Sequence, residues 1–336
     1  MPKVIIGSIN IDMYRLSNDK LITTLGGSAT NTCFFLTNLM RSYSQDNNLS
    51  QENRMVYLIG GIGADSAGKQ ALDLLKEKGI NTKYVGKLSG HTGKTEITLD
   101  DRHERHIKRF PSVTNQLPNY ITTPAIQRVM RQSDIHVKGS AKLLNAIWDV
   151  KDSIYSADIS AFDSDKSFIS NIKELKDKQI KILFGNNKEF QNLAYSAGID
   201  VNLNKLGSEN RTIDYINNAE DINIFVEEIL DLFKSEYLFF KLGSKGAIYF
   251  RNNNQTDKLE HHWNKFSITT TAIKIIDTTG AGDAFNAGVL FGLWNGFSPK
   301  KSISFGNILG TFNCTRFGGT NYVMSYSDMK AKLIKK

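Results

Sequence analysis

The chain has 336 residues, 40% of them hydrophobic and 23% charged, with a formal net charge of +8, which is the make-up of an ordinary globular protein with enough chain to bury a large core. No apolar stretch approaches the roughly 18 residues needed to cross a bilayer, and Cys33 and Cys314 are too few for a disulfide framework or a zinc site. The positive charge is concentrated at Arg102 to Arg109 and Lys330 to Lys336 without a basic stripe interleaved with aromatic residues, which argues against a nucleic-acid partner and for a lysine-rich surface suited to anionic small molecules.

The first residues, Met-Pro-Lys-Val-Ile-Ile-Gly, enter a strand pattern directly and show no signal-peptide apolar region. With two thiols that read as buried small hydrophobes, this points to a reducing cytoplasm. Val4 to Ile6 is the first strand. Asn10 and Asp12 follow at i, i+2, a spacing that turns both side chains to one face of an extended segment. They could hold two hydroxyls of a polyol, or close a turn on their own backbone. Leu21 to Leu25 reads as a short strand running into Gly26-Gly27-Ser28-Ala29-Thr30-Asn31, then a helix through Phe35, Leu36, Leu39 and Met40. Residues 41–54, rich in Asn, Gln and Ser, read as an exposed loop.

Met55 to Ile59 is the next strand. Gly63 to Gln70 falls one residue short of a phosphate-binding P-loop and has Gln70 where a Mg²⁺-binding Ser or Thr is required. Gly93-Lys94-Thr95 carries only the ending of that motif, and Ser66 replaces the third glycine of a dinucleotide fingerprint begun by Gly61 and Gly63. Thr92 to Leu99 alternates as a half-exposed strand and returns through Glu104 to Phe110, with Asp100 to His103 as the turn, predicting a polar hairpin that projects from the core. His103 and His106 fall in this charged segment, and no histidine has ligand partners at metal spacing.

Further strands are expected at Ile135 to Val137, Ile154 to Ile159, Ile180 to Phe184, Tyr237 to Lys241 and Ala247 to Phe250. Their alternation with helical segments predicts a doubly wound, mostly parallel sheet. Asn186 and Glu189, i, i+3 beyond a strand end, could reach a hydrated Mg²⁺ or simply start a helix with an acidic first turn. Residues 251–263 read as another polar loop, and a helix from Ser298 runs to about Arg316.

Asp277 to Phe285 reads D-T-T-G-A-G-D-A-F, between an apolar run, Ile273 to Ile276, expected to be a buried strand, and a densely apolar helix. Glycines at a strand-to-helix junction expose backbone N–H groups at the positive end of a helix, an anion site. Asp283 places a carboxylate beside those amides. A base next to an anion cradle points to proton removal from a nucleophile that attacks a phosphate.

In this order, Asn-x-Asp, Gly-Gly-x-x-x-Asn, a polar hairpin, Asn-x-x-Glu, Gly-x-x-Gly and Asp-Thr-x-Gly-Ala-Gly-Asp, the motifs from about residue 3 to 328 resemble the ribokinase-like (PfkB) family of carbohydrate and nucleoside kinases. The resemblance implies one α/β domain over 1–336, a sheet flanked by helices, with a small β lid from approximately 11–25 and 90–112. It implies transfer of the γ-phosphate of ATP, with Mg²⁺, to a hydroxyl of a sugar or nucleoside, usually a primary one. Asp283 would be the catalytic base and Gly280, Ala281 and Gly282 the anion hole. Asn10, Asp12, Gly26, Gly27 and Asn31 would face the acceptor. Asn186, Glu189, Lys241, Gly243, Gly246 and Asn307 would face the nucleotide, with Glu189 helping to place Mg²⁺ through water. Asp277, Thr279, Asn313, Arg316 and Gly318 match a K⁺ site used by many members, mostly through backbone oxygens.

Departures from the pattern bear on substrate and assembly. Only 13 residues separate Asp12 from Gly26, which implies a truncated first lid hairpin and leaves monomer or homodimer open. Ser28 stands where ribokinases proper have lysine, a form also similar to some adenosine and nucleoside kinases. Lys241 replaces the commoner Thr. Two other classes stay open: a dinucleotide-dependent oxidoreductase built on Gly60 to Gly63, which leaves the Asp277 motif unexplained, and a nucleotide-binding regulator without catalysis.

Overall fold

A computed structural model describes residues 1–15, 21–47, 55–99, 105–151, 153–160, 179–203, 220–253, 258–265 and 273–334. Its elements in chain order are β1 (Lys3–Gly7), β2 (Asn10–Arg15), β3 (Leu21–Gly26), α1 (Ser28–Asp46), β4 (Val56–Gly63), α2 (Ser66–Glu77), β5 (Val85–Leu88), β6 (Gly93–Leu99) and β7 (Arg105–Arg109). Then come α3 (Leu117–Tyr120), α4 (Pro124–Arg131), β8 (Asp134–Lys138), α5 (Ala141–Trp148), β9 (Ser153–Asp158), β10 (Gln179–Asn186), α6 (Asn187–Ala197) and α7 (Glu220–Leu232). The last are β11 (Tyr237–Lys241), β12 (Gly246–Asn253), β13 (Lys258–Lys265), α8 (Ala281–Trp294), α9 (Pro299–Asn313) and α10 (Tyr326–Ile334).

The central sheet has nine strands in the order β13-β12-β11-β10-β9-β8-β1-β4-β5. Neighbours from β11 to β5 are parallel, and β12 and β13 return antiparallel at one edge. Parallel strands covered on both faces need apolar residues on both. In β1, Val4 and Ile6 join the core beneath α3 to α7, and Ile5 joins the one beneath α1, α2 and α8 to α10. β10 divides likewise, Leu183 to one side and Ile182 and Phe184 to the other. This is the doubly wound sheet that the strand–helix alternation predicts.

Helix α8 buries a continuous run from Asp283 to Gly292 because it is held between the sheet and α9. A Cβ on Gly288 would lie 2.7 Å from the Gly306 amide nitrogen of α9, so the two helix backbones touch. That contact fixes where the first turn of α8 sits.

A second sheet of four strands runs β3-β2-β6-β7. Its register pairs Asp12 with Thr24 and Thr95, and Thr95 with Arg109. Directly opposed residues share a face, so Asp12, Thr24, Thr95 and Arg109 lie together, with Asn10 one pleat along β2. The hairpin expected at 92–110 forms from β6 and β7, and its turn at Asp100 to His103 lies outside the described residues.

Three local expectations are corrected. Residues 41–46 are the last turns of α1, not loop; 48–54 are outside the described residues. The polar stretch 251–263 contains an edge hairpin, since β12 runs to Asn253 and pairs with β13 from Lys258. An edge pair tolerates polar residues that a central strand does not. Ile273 to Ile276 is not a strand: the segment pairs with no strand and leaves Ile275 53% exposed.

Candidate active site

The carboxyl ends of parallel strands are where doubly wound folds open a crevice, and here they bring charged residues together. Register sets Lys138 of β8 opposite Asp158 of β9, and Asn186 of β10 opposite Lys241 of β11. Asp158 is fully buried. Its Oδ2 is 2.7 Å from Lys138 Nζ and accepts from Lys241 Nζ at 2.8 Å and Asn286 Nδ2 at 2.6 Å. Burial opposes its charge, but the two ammonium groups outweigh burial and hold the carboxyl well below the usual carboxylate range.

Above this layer stands the first turn of α8. Gly280 precedes the helix at φ 74°, a left-handed conformation that favours glycine, and no side chain caps the helix. The amides of Gly282 and Asp283 have no carbonyl behind them within the helix, so this N-terminus is open to an anion. A Cβ on Gly282 would meet only the Lys241 side chain, Nζ at 3.6 Å and Cδ at 3.7 Å, which leaves its backbone open to the crevice. The Asp283 carboxylate is 6% exposed and held at both oxygens: Asn31 Nδ2 donates to Oδ2 at 2.9 Å, and Lys138 Nζ lies 3.2 Å from Oδ1.

Gly280, Gly282, Asp283, Lys138, Asn186, Glu189, Lys241, Gly243, Ser8, Ser28 and Arg109 line a cleft of about 990 Å³. Asn186 and Glu189 also close a reciprocal cap on α6: the Asn186 side chain accepts from the Glu189 amide at 2.9 Å, and Glu189 Oε2 accepts from the Asn186 amide at 2.8 Å. The helix-start reading of this pair is what the geometry displays, and both residues also line the cleft. Burial raises the Glu189 carboxyl, partly offset by the Lys241 cation.

Asp12 is 5% exposed. Burial pushes its carboxyl up to about 6, opposed by the Thr95 hydroxyl, reinforced by Asp277 and Asp283, and opposed again by Arg109. A Cβ on Gly26 would run into the Asp12 carboxylate, and one on Gly27 into the Ser8 carbonyl, so the glycine pair is required by close approach. Asn31, on α1, has its Oδ1 buried without a partner. Asn10, Asp12, Gly26 and Gly27 thus pack against one another, and Asn31 bonds directly to Asp283.

A second cavity of about 560 Å³ adjoins the first through Lys241, Gly243 and Gly282. It is lined by Ile273, Ile275, Phe285, Gly246, Gly306 and Asn307, among others. The exposed apolar run at 273–276 finds its use here, as a wall. Asn307 Nδ2 donates to Asn264 O at 3.0 Å and Oδ1 at 2.8 Å, which fixes its orientation.

Asp277 braces the loop before α8. Its Oδ1 accepts from the Thr279 amide at 2.9 Å and hydroxyl at 2.7 Å, and its Oδ2 from the Tyr14 hydroxyl and the Gly318 amide, both at 2.9 Å. Burial, with Asp277 beside it, keeps the Tyr14 hydroxyl protonated well above its ordinary range. Asn313 Nδ2 donates to Thr279 O at 2.7 Å, while its Oδ1 is buried without a partner. Arg316 stands apart: it is exposed and donates to Thr315 O. Among the described residues no cluster of three His, Cys, Asp or Glu side chains could hold a metal ion by itself.

Sequence reasoning missed Lys138, Asp158 and Asn286. The available signal was a charge closing an apolar strand, in DIHVK and in SIYSAD. Of the near-miss glycine motifs, the one at Gly63 to Gln70 has a structural use: Asp65 caps α2 through the Gly68 amide at 2.8 Å and accepts from the Thr92 hydroxyl at 2.6 Å.

The family model described as pfkB family carbohydrate kinase matches residues 3–325. The ribokinase of Lactococcus lactis is 27% identical over 285 residues, spanning 83% of this chain and 79% of the relative. Among solved structures, an Arabidopsis thaliana ribokinase complexed with ribose and ATP aligns with a TM-score of 0.68 at 19% identity, covering 99% of this chain and 98% of the other. A Burkholderia thailandensis nucleoside kinase in complex with inosine aligns with a TM-score of 0.70 at 17% identity, covering 99% and 96%. At those identities the structural likeness establishes the ribokinase-like α/β fold, and the family match establishes kinship. The chain belongs to the pfkB family of carbohydrate kinases and is a phosphotransferase of that family.

Proposed function

We propose that the chain transfers the γ-phosphoryl group of ATP to a hydroxyl, preferably primary, of a sugar or sugar-like acceptor, with Asp283 as general base. The observation that carries this is the Asp283 carboxylate, buried and held at both oxygens, beside an uncapped helix N-terminus. The acceptor lies against Asn10, Asp12, Gly26, Gly27 and Asn31, where Asn31 Oδ1 lacks a partner. ATP occupies the 560 Å³ cavity with its base near Asn307, and its phosphates pass Gly246, Gly243 and Lys241. As the hydroxyl attacks the γ-phosphorus in line, its proton moves to Asp283 and the bond to ADP breaks. The anion hole of Gly280, Ala281 and Gly282 takes the charge that develops on the phosphoryl oxygens, chiefly through the open amides of Gly282 and Asp283, since the Ala281 amide already donates to Thr278 O at 3.2 Å.

Mg²⁺ bound with ATP supplies neutralising charge on the phosphates, and Asn186 and Glu189 would hold it through water. The two cleft-lining oxygen donors fit a hydrated ion better than a cage of direct ligands. K⁺ would sit in the loop formed by Asp277, Thr279, Asn313, Arg316 and Gly318. Supporting it is the unpartnered Asn313 Oδ1; Asp277 is already saturated and Arg316 contributes only its backbone. The β lid, built from segments near 11–25 and 90–112, excludes water from the activated phosphate. Two buried free thiols suit a cytoplasmic protein, as monomer or homodimer.

A nucleoside acceptor is the second reading, favoured by Ser28 on the cleft wall. One assay decides among the readings: ADP release from Mg·ATP across a panel of sugars, sugar acids and nucleosides. One class should accelerate release above the acceptor-free rate. Binding of ATP with no acceptor-dependent release would instead support a regulator without catalysis.

A further inference from the structure

We infer that Lys138 is a positioning residue for phosphoryl transfer, aiming the Asp283 carboxylate from the floor of the cleft; this rests on Asp283 being the general base. Lys138 ends β8, is 8% exposed and lines the cleft. Its Nζ bridges two carboxylates, Asp158 Oδ2 at 2.7 Å and Asp283 Oδ1 at 3.2 Å. Burying a lysine is costly, so a purely structural explanation must say what it secures. Lys138 helps to hold Asp158 charged, but Asp158 has other partners as well. That carboxylate already has Lys241 and Asn286 on Oδ2 and the Ser160 amide at 2.9 Å on Oδ1.

Lys138, unlike Lys241, also reaches the Asp283 carboxylate. Lys138 and Asn31 each hold one oxygen of Asp283 and so fix the plane of the group that must meet the acceptor hydroxyl. Burial disfavours the ammonium, but Asp158 and Asp283 outweigh it and keep Lys138 charged above the usual lysine range. During transfer the acceptor O–H bond breaks and its proton goes to Asp283. The new O–P bond forms as the bond from phosphorus to ADP breaks. Asp283 loses its charge at that moment, and Lys138, still anchored by Asp158, keeps the protonated carboxyl in place. The charged groups around Asp283 among the described residues are Lys138 from β8 and Asp12 from β2, with Arg109 of β7, Glu189 of α6 and Lys241 of β11 on the same cleft and Asp158 behind. Lys138 is the cation in contact with it.

The test compares Lys138→Met and Lys138→Arg with the natural enzyme by kcat, KM for ATP and the pH profile of kcat, using the acceptor that gives the fastest ADP release. Lys138→Met should lose about 10²-fold or more in kcat, the scale of removing one preorganised electrostatic group. Its KM for ATP should hold, and the acid limb of its profile should move to higher pH. Lys138→Arg should keep the limb in place. An unmoved limb in Lys138→Met overturns the inference even if kcat falls, because a structural loss lowers kcat at every pH. If Lys138→Met does not fold, Lys138→Gln, which keeps a hydrogen-bond donor for Asp158 while removing the charge beside Asp283, carries the same test. Near-natural turnover in Asp283→Asn would overturn the base assignment itself. An inactive Asp283→Asn beside a Lys138→Met with the natural profile would overturn only the role of Lys138.

Discussion

Replacing Asp12 with Asn should stabilise the protein at pH 8 while weakening the acceptor. Asp12 is 5% exposed, and burial leads the causes that move its carboxyl from 3.8 to about 6. A displacement of about two units corresponds to about 3 kcal/mol. The sign follows from proton binding. Between these values the native protein holds the proton more tightly than the unfolded chain, so stability falls as pH rises from about 4 to about 6, and the full cost persists above that. Asn is neutral at every pH, matches Asp in shape, and can still accept from the Thr95 hydroxyl. The variant should therefore gain about 3 kcal/mol at pH 8, which for 336 residues is about 4 °C in Tm, and nothing at pH 4. Thermal unfolding at the two pH values measures this, with acceptor KM in parallel. A variant no more stable at pH 8, or one whose gain is the same at pH 4, would refute the reasoning.

Other substitutions separate the parts of the site. Gly282→Ala adds a methyl that meets only the Lys241 side chain, at 3.6 and 3.7 Å, so Tm should stay within the small range of neutral changes, about 0.5 kcal/mol, while kcat falls because the methyl occupies the anion cradle. Gly280→Ala should instead lower Tm, since it forces alanine to φ 74°, at about 1–2 kcal/mol, and sets its Cβ 2.7 Å from Gly319 Cα. Glu189→Gln keeps the reciprocal cap, which accepts either residue. Its Tm should hold while the Mg²⁺ concentration for half-maximal rate rises. Asn264→Ala deletes the 2.8 Å side-chain bond that orients Asn307 and should raise KM for ATP with little change in kcat.

The sheet was legible because parallel strands covered on both faces must be apolar throughout, as Val4 to Ile6 and Ile180 to Phe184 are. The turn at Asp277 to Asp283 was legible because glycines and carboxylates at a helix start have few other uses. Lys138 and Asp158 were not. Each is one charge at a strand end, which in sequence looks like any residue meeting solvent, and only the cross-strand register places them side by side. Ile273 to Ile276 misled because an apolar run serves a cavity wall, as Ile273 and Ile275 do, as well as a strand. The hairpin in 251–263 was hidden by polarity that an edge position permits. Asn186 and Glu189 could not be resolved from spacing alone, since the same two side chains cap α6 and line the cleft.

The central claim, that Asp283 removes the proton from the acceptor hydroxyl, is tested most directly by the kcat of Asp283→Asn with Mg·ATP and the best acceptor. Asn preserves the shape and removes the base. The account predicts a fall of ~10²–10⁴-fold with the ATP-induced rise in Tm retained. Turnover within about tenfold of the natural enzyme, smaller than general-base removal allows, would contradict it.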